Sequence, residues 1–323
     1  MSDTKSRTQN QTEKVPPTIK RRFVRTGLIV LCVYLAFIGI LTWQQRNLIY
    51  HPRRASNLQA SEWRDSSLST HDFQFETVDG LTLNGWHYLR SGTNATDLEE
   101  CRELLKSSDL AFLYFQGNAG HRGFRTTECS LLAMMGADVL IADYRGFGDN
   151  PSSPTQELLV ADAHALWKYA VETCEIPPER IAIYGESLGG GVACQLAADL
   201  CETGHPPCGL IIEASFSSLA DVAKDRVPII PVDLILMDPF RSDRRMPLMT
   251  APYLHLHGED DRVVPYEIGK RLFDSAPATS TRGVEKRFLS LSGTGHNDIY
   301  ENQSSSIEAK RAIQEFFDRI RDR

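Results

Sequence analysis

The sequence predicts an α/β fold: a mostly parallel, twisted sheet with helices on both faces, preceded by one apolar N-terminal helix. Three observations carry that reading. From residue 110 onward, short apolar β-favouring runs alternate with helix-period segments, the pattern of strands joined by crossover helices. One of these strands, Ile181-Ala182-Ile183-Tyr184, runs into Gly185-Glu186-Ser187-Leu188-Gly189 and then into an Ala-rich helical stretch. A serine therefore sits at a sharp strand-to-helix turn, with glycines on both sides where a Cβ has no room. Finally, residues 26–43 carry no charged side chain and are flanked by arginines.

Taken in order, residues 1–25 read as a polar, basic, disordered tail on the cytoplasmic side. Residues 26–43 would span roughly 27 Å as a helix, enough for a hydrocarbon core of about 30 Å. Gln44-Gln45-Arg46 follows Trp43 where a cleaved signal peptide would carry small residues, so a retained transmembrane anchor is expected. Lys14, Lys20, Arg21, Arg22 and Arg25 precede it, against Arg46, Arg53 and Arg54 after it. That bias places the N-terminus in the cytoplasm and the body on the extracytoplasmic side.

Residues 44–70 show no periodicity and read as a juxtamembrane linker; a folded domain is expected over 71–323. It opens with a hairpin, residues 73–78 and 81–86 around Asp79-Gly80, which supplies an antiparallel edge. Strands are expected at 110–115, 139–142, 181–184, 210–212, 253–257 and 287–291. Helices are expected at 126–135, 156–171, 191–200, 266–275 and 305–321. A small cap insert spans about 216–250. Its segment 227–237, apolar except for Asp233, reads either as a lining for a greasy group or as a helix packed on the sheet.

The composition is that of a globular protein with a sizeable core, 41% apolar and 24% charged. Residues 1–43 hold seven of the 35 basic residues and two of the 42 acidic ones. The rest of the chain therefore carries 28 against 40, a net of −12 that repels phosphate backbones and argues against nucleic acid as a partner. Of seven cysteines, Cys32 lies in the apolar segment, and Cys201 with Cys208 is the candidate disulfide pair. With no Cys-x-x-Cys and no His/Cys cluster, neither a metal nor a cofactor is expected.

A serine hydroxyl needs a base to take its proton and an acid to orient that base. The strand at 253–257 ends in Gly258-Glu259-Asp260-Asp261, and the strand at 287–291 ends in Ser292-Gly293-Thr294-Gly295-His296. Both loops leave the carboxyl ends of strands, on the same sheet edge as Ser187. The order serine, acid, histidine follows, with Glu259, Asp260 and Asp261 nearly equivalent as the acid. His121, His255 and His257 read as structural.

Gly185-Glu186-Ser187-Leu188-Gly189-Gly190, His257-Gly258-x-x-Asp261-x-x-Val264-Pro265 and Gly295-His296 resemble the motifs of α/β-hydrolases. Phe115-Gln116-Gly117-Asn118-Ala119-Gly120, Asp143-Tyr144-Arg145-Gly146-Phe147-Gly148 and Leu48-Ile49-Tyr50-His51-Pro52 are similar to those of one branch. That branch comprises small membrane-anchored serine hydrolases of the fungal bud-emergence type, related to prolyl-oligopeptidase-like enzymes. Gln116 departs from it, standing where the branch has His. The resemblance implies a catalytic set of Ser187, Asp261 and His296, with oxyanion donors from the backbone N–H groups of Leu188 and Asn118. Arg145 is expected to clamp the loop that carries Asn118. The expected activity is hydrolysis of short to medium acyl carboxylic esters or thioesters, lipid-like ones included. The alternatives are a peptidase or amidase with the same residues, and a non-catalytic membrane-tethered interaction protein.

Overall fold

Alternation of side chains along the strands builds two cores at once. The computed structural model describes residues 17–63 and 67–321. Its elements in order are α1 (Pro17–Ile49), β1 (His51–Pro52), α2 (Ala60–Trp63), β2 (Thr70–Glu76), β3 (Thr82–Tyr88), α3 (Leu98–Lys106), β4 (Ala111–Phe115), β5 (Ala119–Gly120) and α4 (Thr126–Met134). There follow β6 (Asp138–Ala142), α5 (Gln156–Lys168), β7 (Ile181–Glu186), α6 (Leu188–Glu202), β8 (Gly209–Glu213), α7 (Leu219–Arg226), α8 (Val232–Ile235) and α9 (Ser242–Arg245). The chain closes with β9 (Tyr253–Gly258), α10 (Tyr266–Ser275), β10 (Arg287–Leu291) and α11 (Gln303–Arg321).

The eight-stranded sheet runs β10-β9-β8-β7-β4-β6-β3-β2. It is parallel from β10 to β6, and β3 joins β6 antiparallel, as does β2 to β3. Leu113, Ile183 and Ile212 pack in one core with Leu166 of α5, Leu196 of α6 and Leu272 of α10. Phe112, Tyr184 and Leu254 pack in the other with Leu132 of α4 and Phe316 and Phe317 of α11. Strands covered on both faces must be apolar at successive positions, as Ala111-Phe112-Leu113-Tyr114-Phe115 is.

The first unit by compactness, residues 1–45, contains most of α1. Residues 21–49 of that helix are long and apolar enough to cross a membrane, with mean hydropathy 2.3. The helix is longer than the span 26–43 expected for it. It begins at Pro17, whose fixed φ suits a first helical position. Residues 17–25 are therefore helical, contrary to the disordered tail expected to reach residue 25; residues 1–16 lie outside the described residues.

The second unit begins at Arg46, which corrects the linker expected over 44–70. Tyr50, Leu58, Ala60 and Leu68 are buried. The Tyr50 hydroxyl and the Arg46 Nε both reach Asp238 Oδ2, at 3.2 and 3.1 Å. These contacts join residues far apart in sequence, which no local periodicity displays.

Two further expectations change. Cys201 and Cys208 form no disulfide, because Cys201 packs toward the core of α6 while Cys208 lies in the core of α11 on the other sheet face. The insert segment 227–237 is not a helix packed on the sheet. Pro228 and Pro231 interrupt it, α8 is a single turn, and Ile229 and Leu234 are 73% and 87% exposed.

Candidate active site

Ser187 occupies the turn between β7 and α6 with φ 50° and ψ −115°, a left-handed conformation that a non-glycine residue adopts only under constraint. The constraint is visible on both sides. The Ser187 N–H donates to Glu213 O at 2.8 Å, while Ser187 O accepts from Gly190 N and from Ser215 Oγ at 2.9 and 2.7 Å. A Cβ on Gly189 would lie 2.0 Å from Phe115 O and 2.5 Å from Gln116 O. Only glycine lets the start of α6 approach the loop after β4 so closely.

Three carboxyl-end loops converge on this turn. His296 Nε2 lies 3.0 Å from Ser187 Oγ, and His296 Nδ1 lies 2.7 Å from Asp261 Oδ2. The other carboxylate oxygen of Asp261 accepts from the N–H groups of Val263 and Val264 at 2.7 and 2.8 Å. Asp261 is buried, whereas Glu259 and Asp260, equivalent to it in the sequence, are exposed.

Behind Asp261 runs a buried chain of neutral groups. Tyr253 OH lies 2.7 Å from His255 Nδ1, His255 Nε2 lies 3.2 Å from His257 Nδ1, and His257 Nε2 lies 3.0 Å from Val264 O and 3.4 Å from Asp261 Oδ2. The carbonyl can only accept, so His257 Nε2 carries a proton and its Nδ1 accepts from His255 Nε2–H. His255 Nδ1 in turn accepts from Tyr253. Burial lowers the pKa of both imidazoles, which keeps the chain neutral.

The second half of the site is the loop carrying Gln116, Gly117 and Asn118. Leu188 opens α6, so its N–H has no partner within the helix and faces outward from the helix start. Asn118 Nδ2 donates to Ile49 O at 2.8 Å, and His51 N donates to Asn118 O at 2.8 Å. The segment around Tyr50-His51-Pro52 thus ties down the loop, a function that residue identity alone did not suggest. Gln116, the departure from the branch pattern, donates from Nε2 to Asp143 Oδ1 at 2.8 Å. Arg122, buried, donates to Asp143 Oδ2 at 2.6 Å and secures the same loop. Arg145, expected in that position, instead binds Asp162 of α5 and Asp79 of the hairpin turn. It is a clamp, but of a different junction.

Residues 106–230 match the family described as serine aminopeptidase, S33. An uncharacterized protein of Mycobacterium tuberculosis is 34% identical over 273 residues, covering 84% of this chain and 88% of that one. A zebrafish (Danio rerio) protein named lysophosphatidylserine lipase ABHD12 is 34% identical over 257 residues, 72% of this chain and 66% of its own length. This chain belongs to the α/β-hydrolase superfamily. An esterase from Pyrococcus furiosus shares the fold at TM-score 0.59 and 16% identity, covering 84% of this chain and 98% of that one.

The α/β-hydrolase fold also places groups that sequence reasoning did not single out. Parallel pairing of β7 and β8 sets Glu186 beside Glu213. Glu186 is held by Arg125 and by Tyr114 OH, the latter at 3.1 Å. Glu213 accepts from Tyr184 and Tyr300, and burial, aided by the charge of Glu186, pushes its carboxyl up to about 8. Its folded value lies above its unfolded one of 4.5. The stability it contributes is therefore fully present below about pH 4.5 and lost as pH rises through about 8, a few kcal/mol at most over that window. Replacement Glu213→Gln is expected to flatten the melting temperature of this hydrolase between about pH 5 and pH 8. An unchanged pH slope in thermal melts contradicts the assignment.

Proposed function

We propose that this hydrolase cleaves carboxylic esters or thioesters through an acyl-enzyme on Ser187, with His296 as base and acid and Asp261 as its orienting partner. The observation that carries the reading is the position of one imidazole, 3.0 Å from a serine hydroxyl and 2.7 Å from a buried carboxylate. With Asp261 accepting from Nδ1–H, the His296 Nε2 lone pair points at Ser187 Oγ and can take its proton. The Oγ–carbon bond forms, the carbonyl oxygen becomes an oxyanion, and the N–H groups of Leu188 and Asn118 are the donors proposed for it. The tetrahedral species collapses by breaking the ester C–O bond, and His296 returns the proton to the leaving oxygen. A water molecule, activated by the same imidazole, then releases the acid and frees Ser187.

The matched family's description as a serine aminopeptidase keeps amide cleavage as the second reading. A non-catalytic tether would have no use for a serine in a constrained turn within hydrogen-bond reach of an imidazole that a buried carboxylate holds on its other side. The relatives named as lysophosphatidylserine lipases support a lipid-like ester as substrate. Residues 26–43 are proposed to hold the enzyme at a membrane, with the N-terminus cytoplasmic and the catalytic body extracytoplasmic.

Two measurements test these finer points together. Specificity as kcat/KM should climb with acyl length over the first few carbons, as each buried methylene adds up to about 0.8 kcal/mol, and level off at medium length. A flat or falling profile from acetyl to octanoyl esters, or a preference for peptide bonds, contradicts the ester reading. The full chain should fractionate with membranes and a chain starting at residue 46 should not; a C-terminal topology reporter giving a cytoplasmic signal contradicts the orientation.

A further inference from the structure

The loop that carries Asn118 is bonded to residues 46–55, and that segment is itself fixed at both ends. At its start, Arg46 Nε and Tyr50 OH reach Asp238 Oδ2 at 3.1 and 3.2 Å. At its end, Ala55 N donates to Gly148 O at 2.9 Å and Gly148 N donates to Arg53 O at 3.0 Å. The Arg54 guanidinium donates to the carbonyls of Asn150 and Ser152, both at 2.9 Å. A segment held independently of the loop can dictate where the loop sits.

Between these ends the grip on the loop is direct. β1 pairs β5 in parallel, with His51 N donating to Asn118 O at 2.8 Å and Arg53 N to Gly120 O at 3.1 Å. Asn118 Nδ2 donates to Ile49 O at 2.8 Å. Ile49 is the last residue of α1, and the final carbonyls of a helix have no donor within it. Asn118 thus caps α1 with its side chain and bonds β1 through its carbonyl. Its own N–H has no acceptor among the described residues. That N–H is the group proposed above for the oxyanion.

We propose that the end of α1 positions the oxyanion site: Ile49 and His51, acting through the side chain and carbonyl of Asn118, aim the Asn118 N–H at the substrate oxygen. The inference rests on the ester-hydrolase reading and deepens it: the last turn of the apolar helix serves catalysis as well as attachment.

The test uses the full chain in detergent micelles with nitrophenyl butanoate as substrate. Asn118→Ala keeps the backbone N–H but removes the cap on Ile49 O, and kcat should fall about 10- to 100-fold with KM little changed, a partial form of the loss that follows removal of an oxyanion donor. Leu48→Pro approaches from the other side. Leu48 is exposed, and a proline there distorts the last turn of α1 and moves the Ile49 carbonyl without touching the site. It should lower kcat to a similar degree, whereas Leu48→Ala should match wild type. The double variant Asn118→Ala/Leu48→Pro should fall little below either single one, because both break the same contact. The midpoint of the rise of kcat with pH should stay in place in all of them, since His296 and Asp261 are untouched. A kcat within threefold of wild type in Asn118→Ala or in Leu48→Pro, or losses that multiply in the double variant, overturns the positioning role while leaving the ester reading in place. If the wild type is no more active than Ser187→Ala, the ester reading fails and the positioning role falls with it.

Discussion

Replacement of Asp261 by asparagine is expected to lower kcat by about four orders of magnitude with little change in stability. The reason lies in which atoms are already committed. One Asp261 oxygen accepts from the N–H groups of Val263 and Val264, and an asparagine oxygen would take over that position. Its amide nitrogen would then face His296 Nδ1 at the 2.7 Å contact. Two donors cannot share that contact, so His296 would turn to the tautomer protonated at Nε2 and lose the lone pair that accepts from Ser187. Asp260→Asn, one residue earlier and exposed, should stay within about twofold of wild type. Steady-state kinetics on a short acyl ester reads both. Severe loss from Asp260→Asn with mild loss from Asp261→Asn contradicts the choice of acid.

Gly189→Ala should be nearly as damaging by a different route. The added methyl would meet Phe115 O at 2.0 Å and Gln116 O at 2.5 Å, both backbone atoms. No rotamer relieves that overlap, so the loop carrying Asn118 and the start of α6 must move apart. The N–H groups of Leu188 and Asn118, proposed to meet at one oxyanion, would separate with them. Loss of one such donor costs about 100- to 1,000-fold in kcat, and a fall of that size is expected here, with KM much less affected. A kcat within tenfold of wild type would show that the oxyanion is stabilised elsewhere.

The parts of this architecture that were legible in the sequence are those written in local order. The apolar run at 110–115 reads as a strand because of its place in the alternation, and the succession of such strands with helices predicts a parallel sheet covered on both faces. The sheet then brought the loops holding Ser187, Asp261 and His296 to one edge. What stayed hidden was set by register and by distant contacts. Glu186 and Glu213 are 27 positions apart, and only the pairing of β7 with β8 shows that they are neighbours. Asn118 reads in sequence as a backbone donor, yet its side chain ties the loop to Ile49. Helix α3 leaves no clear period in the sequence, because nine residues hold too few turns, although Asp97 caps it and Thr96 bonds Glu100. Residues 46–63 lack any pattern of their own because their partners, Asp238 and Asn118 among them, lie elsewhere in the chain.

The most direct test of the central claim is labelling by a fluorophosphonate, which reacts only with a serine whose hydroxyl is activated by a neighbouring base. The full-length protein should be labelled, and mass spectrometry should place the adduct on the peptide containing Ser187. Ser187→Ala should abolish both labelling and ester hydrolysis while its thermal melt stays close to that of wild type. Labelling or turnover that survives in a folded Ser187→Ala protein would contradict the mechanism as a whole.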